Sequence, residues 1–441
     1  MLPVRERERR RDSSQGARFS QMLAWAAYDW ASNSFPTIIQ TFLFASYFAG
    51  SVATSETAGT TWWGIAVGVA GVIVAIGGPV LGALCDQLGR RKPWIAGFTW
   101  LAVLAAALMW FIKPSPTYII PALLLVALGT IGSEFGMILY NAMLPSLVKR
   151  DQTGRWSGWG WGAGYLGGLA CLGLALFVFV RPEGAWLGLD AAQDEHVRAT
   201  FPMAAAWLFL FSLPLLLVTP DTPPTTKRFR SATRDALCQL RDSFFEVRRY
   251  MHIVRFLVAR MFYVDGLATV FAFGGIYARG TFGMNPKEIL AFGIGLNVAA
   301  GLGAIGFAWI DDWIGGKRTV LIALVGLIVP GTALLVVHSK LLFWIFALLL
   351  GVFVGPAQAG SRSYLARIAP EELHNQVFGL YAFSGKATAF VGPLLVGWLT
   401  YLSQSQRIGM SAVVCLLTIG LMILLTVPRA EQLGCDRRRK R

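Results

Sequence analysis

The segment 86-DQLGRRK-92 has an altered copy at 312-DWIGGKR-318, with an acid, a glycine three places on and a closing basic pair at the same spacing. Each segment joins two long apolar runs, and those runs decide the fold. Working outward, twelve candidate spans can be drawn, at 22–49, 62–84, 93–112, 118–141, 159–181, 203–219, 253–278, 287–310, 319–337, 341–361, 377–401 and 408–428. A membrane-spanning helix needs ~20 mostly apolar residues. Inside hydrocarbon every backbone N–H and C=O must be bonded within the protein, so only helices or closed barrels cross. Runs of this length without period-two alternation predict helices. The composition agrees: 55% of the 441 residues are hydrophobic and only 14% are charged, against about 25% charged in soluble chains. The expected class is an all-α polytopic membrane protein.

Basic residues orient the spans. Of the 39 Lys and Arg, 29 lie in one set of alternate loops: residues 1–21, 85–92, 147–158, 220–252, 311–318, 362–376 and the C-terminal tail. The opposite loops hold seven. The positive-inside rule places the richer set, and both termini, in the cytoplasm, which for a bacterial chain means the inner membrane. The net charge of +15 therefore reflects topology and calls for no nucleic-acid partner. The basic tails, Arg5 to Arg11 and Arg437 to Arg441, suit an anionic inner leaflet. The first apolar run is too long for a cleavable signal segment. Five scattered Cys form no CxxC pair, so neither a disulfide nor a metal site is expected. The division is a basic tail at 1–21, a six-span half at 22–219, a linker at 220–252 with an amphipathic helix, a second half at 253–428 and a basic tail at 429–441.

The halves repeat weakly, which is the trace internal duplication leaves in transporters. Tyr28-Asp29-Trp30 in span 1 parallels Tyr263-Val264-Asp265 in span 7, and the two charged loops fall at the span 2–3 and span 8–9 junctions. Two such loops in register point to the major facilitator fold. In each, glycine permits a tight turn and the acid can meet basic residues or a neighbouring helix end. Asp86, Gly89, Arg90 and Arg91 in the first loop, with Asp312, Gly315 and Lys317 in the second, are candidate gating residues that hold the cytoplasmic side closed.

The segments YDWASNSF at 28–35, GPVLGALCDQLGRRKPW at 78–94, YNAMLP at 140–145, GRWSGWGWGAGYLGG at 154–168, YVDG at 263–266, QAGSRSY at 358–364 and FGLYAFSGKATAFVGP at 378–393 resemble the vacuole-effluxer-like branch of the major facilitator superfamily, typified by the yeast vacuolar amino-acid effluxer linked to autophagy. The family usually reads Tyr-Asp-Trp-Ala-Asn in helix 1. Here Ser32 precedes Asn33, and one residue turns a side chain ~100° around the helix. The resemblance implies export of small metabolites by alternating access, and a cavity lined by helices 1, 4, 7 and 10.

Ionisable side chains inside spans are functional candidates because hydrocarbon disfavours them by several kcal/mol. Asp29, Glu134, Arg260, Asp265, Arg362 and Lys386 meet that description. Asp29, Asn33, Pro36 and Gln40 share a stripe on span 1; Glu134 and Asn141 share one on span 4, Asp265 and Thr269 on span 7, and Gln358 and Arg362 on span 10. Arg260 and Arg362 lie near the cytoplasmic ends, where snorkelling would serve them. Asp29, Asn33, Glu134, Asn141, Asp265, Gln358 and Lys386 are the candidate substrate and proton residues, with Asp29 favoured for coupling and Lys386 for a substrate carboxylate opposite Glu134 or Asp29. No Ser/His/Asp set and no phosphate-cradling loop appears, so neither an enzyme nor a cofactor is expected. The expected activity is proton-coupled secondary transport of a small metabolite such as an amino acid. The alternatives are a facilitator for amphipathic drugs, or an assembly or sensor protein that does not transport. Orientation is tested with single Cys residues at 190 and 230 on a Cys-free background, probed by an impermeant thiol reagent on intact cells. Residue 190 is expected to label and 230 to stay dark; the reverse pattern inverts the topology.

Overall fold

A computed structural model describes residues 19–180, 188–223, 225, 235, 250–284, 286–370 and 373–428. The predicted basic tails and nearly all of the predicted linker helix lie outside the described residues. Among the described residues, twelve helices are long and apolar enough to span a membrane. They are α1 (Phe19–Val52), α2 (Trp62–Leu88), α3 (Lys92–Phe111), α4 (Pro116–Leu147), α5 (Thr153–Val180) and α6 (Glu195–Val218) in the first half, and α7 (Met251–Phe282), α8 (Ala291–Ile314), α9 (Gly316–Val336), α10 (Lys340–Ile368), α11 (His374–Ser403) and α12 (Gln406–Leu425) in the second. Each matches a predicted span. Most run past the predicted edges because helical hydrogen bonding continues beyond the apolar run; α10, for example, carries Arg362 and Arg367 inside its last turns.

The halves meet along two crossings, α2 with α11 and α5 with α8, and small residues let the backbones touch there. A Cβ on Gly379 of α11 would overlap the Gly78 carbonyl and lie 2.8 Å from Pro79 Cα of α2. A Cβ on Gly158 of α5 would lie 2.6 Å from the Ala304 carbonyl oxygen of α8. The membrane face of the bundle is apolar and exposed, as at Leu217, Tyr401 and Ile120. The interior near the α2–α3 and α8–α9 loops, here termed the basic face, holds a stacked aromatic block. Trp25 and Tyr28 of α1 sandwich Tyr140 of α4 with ring centroids 4.6 and 4.7 Å apart.

Two helices depart from regular geometry. In α1 the segment Phe35–Phe42 winds as a π-helix; Pro36 in its first turn has no N–H to give to the preceding turn. The pair Gly392-Pro393 reads from sequence as a kink in one continuous helix. Instead α11 breaks: His374–Lys386 ends as a helix, residues 387–390 turn, and Val391–Ser403 begins a new one. Pro393 cannot donate to the turn behind it, and the Gly392 N–H is given to Asp265 Oδ2 of α7 at 2.9 Å.

Candidate functional site

Every helix begins with N–H groups that lack an intrahelical partner, and each half borrows an acid from the other to satisfy them. Asp86, at the end of α2, accepts from the Asn375 N–H at 3.1 Å, the Asn375 Nδ2 at 2.6 Å and the Gln376 N–H at 2.9 Å, all in the first turn of α11. Asp312, at the end of α8, accepts from the Gly154 N–H in the first turn of α5 at 2.7 Å. Arg367 of α10 and Arg155 of α5 add ion pairs to Asp312 at 3.2 and 3.5 Å. The turns behind both acids need glycine: Gly89 has φ +86° and Gly315 φ +87°, a region side chains enter at a penalty.

The basic residues of the two loops staple neighbouring helix ends. Arg91 Nη1 donates to the Ala142 carbonyl at 3.0 Å and Ser146 Oγ at 3.2 Å on α4. Burial lowers the pKa of the Arg91 guanidinium from its ordinary value, and the negative charge of Asp86 opposes this. Lys317 Nζ donates to the Leu425 carbonyl at 3.1 Å and to the Val427 carbonyl, at the end of α12. Arg90 is exposed. Asp311 was not singled out by the sequence, yet it is the more buried acid of its pair, with Arg367 at 2.8 Å and the Ser363 hydroxyl donating at 2.7 Å. The doubled acid at 311–312 was its only trace in the chain.

Further from the basic face, Arg362 ties four helices together. Its Nη1 donates to Asp29 Oδ2 of α1 and to Asn141 Oδ1 of α4, both at 3.0 Å. Its Nε donates to Ser157 Oγ of α5 at 3.0 Å and its Nη2 to the Ser157 carbonyl at 2.6 Å. The Tyr140 hydroxyl donates to the same Asp29 oxygen at 2.8 Å. The rings of Trp25 and Trp161 lie 5.0 and 5.7 Å from the guanidinium carbon. Side-chain exposure is 1% for Arg362 and 5% for Asp29, so the expected snorkelling does not occur: the guanidinium already has a carboxylate in reach and no path to water. Gly160 makes the room, since a Cβ there would lie 2.7 Å from Arg362 Nη2 and overlap Asp29 Oδ2. Ser157 and Tyr140 fall within the quoted segments 154–168 and 140–145 but were not singled out as site residues, because neither is ionised and nothing local marks either as a partner of a buried charge.

Seven residues separate Asn141 from Glu134 on α4, which places Glu134 ~10 Å deeper at 1.5 Å per residue. There Lys386 Nζ donates to Glu134 Oε1 at 2.7 Å. The pair bridges α11 and α4 across the halves and stays partly open, with side chains 36% and 28% exposed. The two charges predicted at opposite ends of a ligand are thus bonded to each other. Asp265 caps the second half-helix of α11 through Oδ2, and its Oδ1 has no hydrogen-bond partner among the described residues. Arg260 does not reach it; Arg260 Nη1 donates to the Tyr381 carbonyl at 2.6 Å and Ser384 Oγ at 2.8 Å. Asp29 and Asp265 therefore occupy different surroundings, contrary to the parallel drawn from sequence. Tyr28 and Tyr263 are the matched pair, and Asp265 lies one place further on, ~100° round its helix. Asn33 turns its Nδ2 back to the Asp29 carbonyl at 3.2 Å. Gln358 is half-buried, with its Oε1 lacking a partner among the described residues.

Twelve spans among the described residues, with an acid from each half bonded to a helix start of the other, fit a membrane transporter of the major facilitator superfamily. The family model described as vacuole effluxer Atg22 like matches residues 47–432, and the chain belongs to that family. The Bacillus subtilis protein named uncharacterized MFS-type transporter YxiO is 26% identical over 410 residues, 92% of this chain and 94% of that one. Autophagy-related protein 22-1 of Penicillium rubens is 26% identical over 318 residues, 66% of this chain and 52% of its own length, so the chain spans about half of that fungal relative. Among solved structures, the proton:xylose symporter XylE bound to 6-bromo-6-deoxy-D-glucose superimposes with a TM-score of 0.72 at 15% identity, over 93% of this chain and 96% of that one. FucP in the outward conformation gives 0.73 at 12% identity, over 92% and 98%. These two show the shared fold.

The Arg362–Asp29 geometry sets a stability expectation. Arg362→Met leaves Asp29 buried without its cation and is expected to cost about 3–5 kcal/mol. Adding Asp29→Asn should return at least about 1 kcal/mol of that loss. Thermal unfolding in detergent, followed by tryptophan fluorescence, reads both; strictly additive losses would show that the two side chains are not coupled.

Proposed function

We propose that the protein is a proton-coupled secondary transporter that exports a small zwitterionic metabolite, an amino acid or a related compound, by alternating access, with its basic face in the cytoplasm. The observation that carries this reading is the Lys386–Glu134 pair. It joins the halves at mid-depth, beside a broken helix, and of the two inter-half ion pairs in the interior among the described residues it is the one that remains partly open. A zwitterion can exchange with it charge for charge. The substrate carboxylate takes Lys386, the ammonium takes Glu134, and no ionised group is left unpaired in a poorly hydrated site. A cationic drug would satisfy Glu134 and strand Lys386. The unpartnered oxygens of Asp265 and Gln358 weigh against a sealed scaffold that does not transport.

In this reading the basic-face interlocks are the gate. Asp86 and Asp312 hold the first turns of α11 and α5, Gly89 and Gly315 supply the turns, Arg91 and Lys317 fix the neighbouring helix ends, and Arg90 faces the headgroups. Opening that face withdraws α10, and with it Arg362, from α1. Asp29 then exchanges its guanidinium for a proton and keeps the Tyr140 hydroxyl as its neutral partner. Proton and gate are coupled because both compete for one carboxylate oxygen. Asp265 is the second candidate, free to bind a proton at Oδ1 without opening the gate. Asn33 and Gln358 border the same interior and contribute neutral hydrogen-bonding groups.

Two experiments test this. In reconstituted vesicles supplied with an amino-acid mixture, Lys386→Met should weaken binding of carboxylate-bearing substrates by roughly ten- to hundred-fold, the loss of one charged hydrogen bond. Asp29→Asn should abolish accumulation driven by a pH gradient yet keep counterflow. Full gradient-driven transport in both Asp29→Asn and Asp265→Asn would remove both carboxylates from coupling. The gate is tested by spin-label distances across the basic face. Asp86→Asn and Asp312→Asn should each raise the open population by about one to two decades, and unchanged distances in both would reduce the loops to turns.

A further inference from the structure

Between the first turns of α3 and the last turns of α6, outside the inter-half contacts, lies an open groove of about 550 Å³ at the basic face. Arg90 and Lys92 stand at its rim, Asp221, Thr222 and Pro223 form one end, and Trp100 and Leu213 with Leu217 line its depth. We propose that this groove binds one anionic glycerophospholipid, its headgroup phosphate on Arg90 and Lys92 and its acyl chain along Trp100 and Leu217. The position of this face against an anionic leaflet rests on the orientation proposed above; the site itself does not.

Charge, depth and shape agree on that occupant. Asp221, the one acid among the described residues that line the groove, is already engaged: its Oδ1 accepts from the Arg91 N–H at 3.0 Å and the Thr222 N–H at 2.9 Å, and its Oδ2 from the Lys92 N–H at 3.3 Å. It serves the start of α3, and the rim keeps two cations. Arg90 is exposed, and Lys92 Nζ has made one bond, to the Leu216 carbonyl at 2.9 Å, leaving two of the three ammonium donors for an anion. Eight residues separate Lys92 from Trp100, ~12 Å along α3. The cations therefore sit at headgroup level while Trp100 and Leu217, 47% and 78% exposed, face acyl chains. A soluble phosphate or acidic metabolite would satisfy the rim and leave the apolar depth unused, whereas a phospholipid uses both.

The occupant would also touch the gate. The groove wall is the strap that crosses the α2–α3 turn: the Thr225 N–H donates to the Leu88 carbonyl at 3.1 Å, the Thr222 hydroxyl donates to the Gly89 carbonyl, and Thr225 Oγ1 donates to the Gln87 carbonyl at 2.7 Å. A lipid clamped on Arg90 and Lys92 thus rests against the turn that follows Asp86.

The test is native mass spectrometry of the full-length protein in detergent, titrated with phosphatidylglycerol, with phosphatidylcholine of the same chains, or with inorganic phosphate. The first phosphatidylglycerol adduct should form at a concentration at least about five-fold below that of phosphatidylcholine. Removing each cation should weaken it by about five-fold, so that R90Q loses about five-fold and the R90Q/K92Q pair about twenty-five-fold, while K113Q, at an exposed lysine on the opposite face, changes nothing. R90Q alters only an exposed side chain, so its result stands if the double variant fails to fold. Equal retention of the two lipids, the same loss in K113Q, or full displacement of the lipid by millimolar phosphate would each overturn the proposal. Because the measurement is made without a bilayer, a wrong orientation of the chain leaves its outcome unchanged.

Discussion

A guanidinium and a carboxylate held 3.0 Å apart with almost no exposure to water cannot simply be pulled apart. In a low-dielectric interior, separating them leaves two uncompensated charges, and breaking such a pair costs several kcal/mol. Any movement that parts α1 from α10 must therefore offer each ion a substitute. For Arg362 the neutral partners are already in place, in Asn141 and both oxygens of Ser157. For Asp29 the remaining donor is one tyrosine hydroxyl. The asymmetry makes the carboxylate the member of the pair that needs something new, and a proton is the smallest thing that can serve.

Around this pair the frame is symmetrical while its contents are not. Asp86 caps α11 and Asp312 caps α5, each across the divide between halves. Counting thirteen residues back from the capped amides of Gly154 and Asn375 reaches Asn141 and Arg362. These are matching positions, one neutral and one cationic, and they are bonded to each other. Duplication accounts for the frame, since the same geometric problem of unsatisfied helix-initial amides arises twice and has the same solution. The interior has diverged because two identical cations facing each other in hydrocarbon would repel, whereas a cation facing an amide is satisfied.

This division explains how far the sequence could be read. Span number, the six-plus-six arrangement and the paired loops depend on local composition and on spacing within a few residues, and all are visible in the chain. Which charge meets which depends on contacts between residues far apart. Arg362 and Asp29 are 333 positions distant, and nothing near either one marks the other; Arg362 therefore read as a residue close enough to the membrane edge to reach water. Lys386 and Glu134, 252 positions apart, were both recognisable as charges within spans but not as partners. Asp311 was hidden beside Asp312, because helical phase alone decides which of two adjacent acids turns inward. The break in α11 was half legible: Gly392-Pro393 announced a weak point, but the capture of the Gly392 amide by Asp265 is what makes it a full interruption.

That interruption has an electrostatic consequence. A helix carries a partial positive charge at its start and a partial negative charge at its end, and an unbroken span keeps both poles at the membrane surfaces. By ending at Lys386 and restarting at Val391, α11 brings one pole of each sign to the middle of the bundle. Lys386 stands at the negative pole of the first half-helix, and Asp265 is bonded to the positive pole of the second. Each of these two charges is thus met by a fixed backbone charge of opposite sign that belongs to neither an ion nor a titrating side chain. That backbone charge does not depend on whether Glu134 is bonded to Lys386.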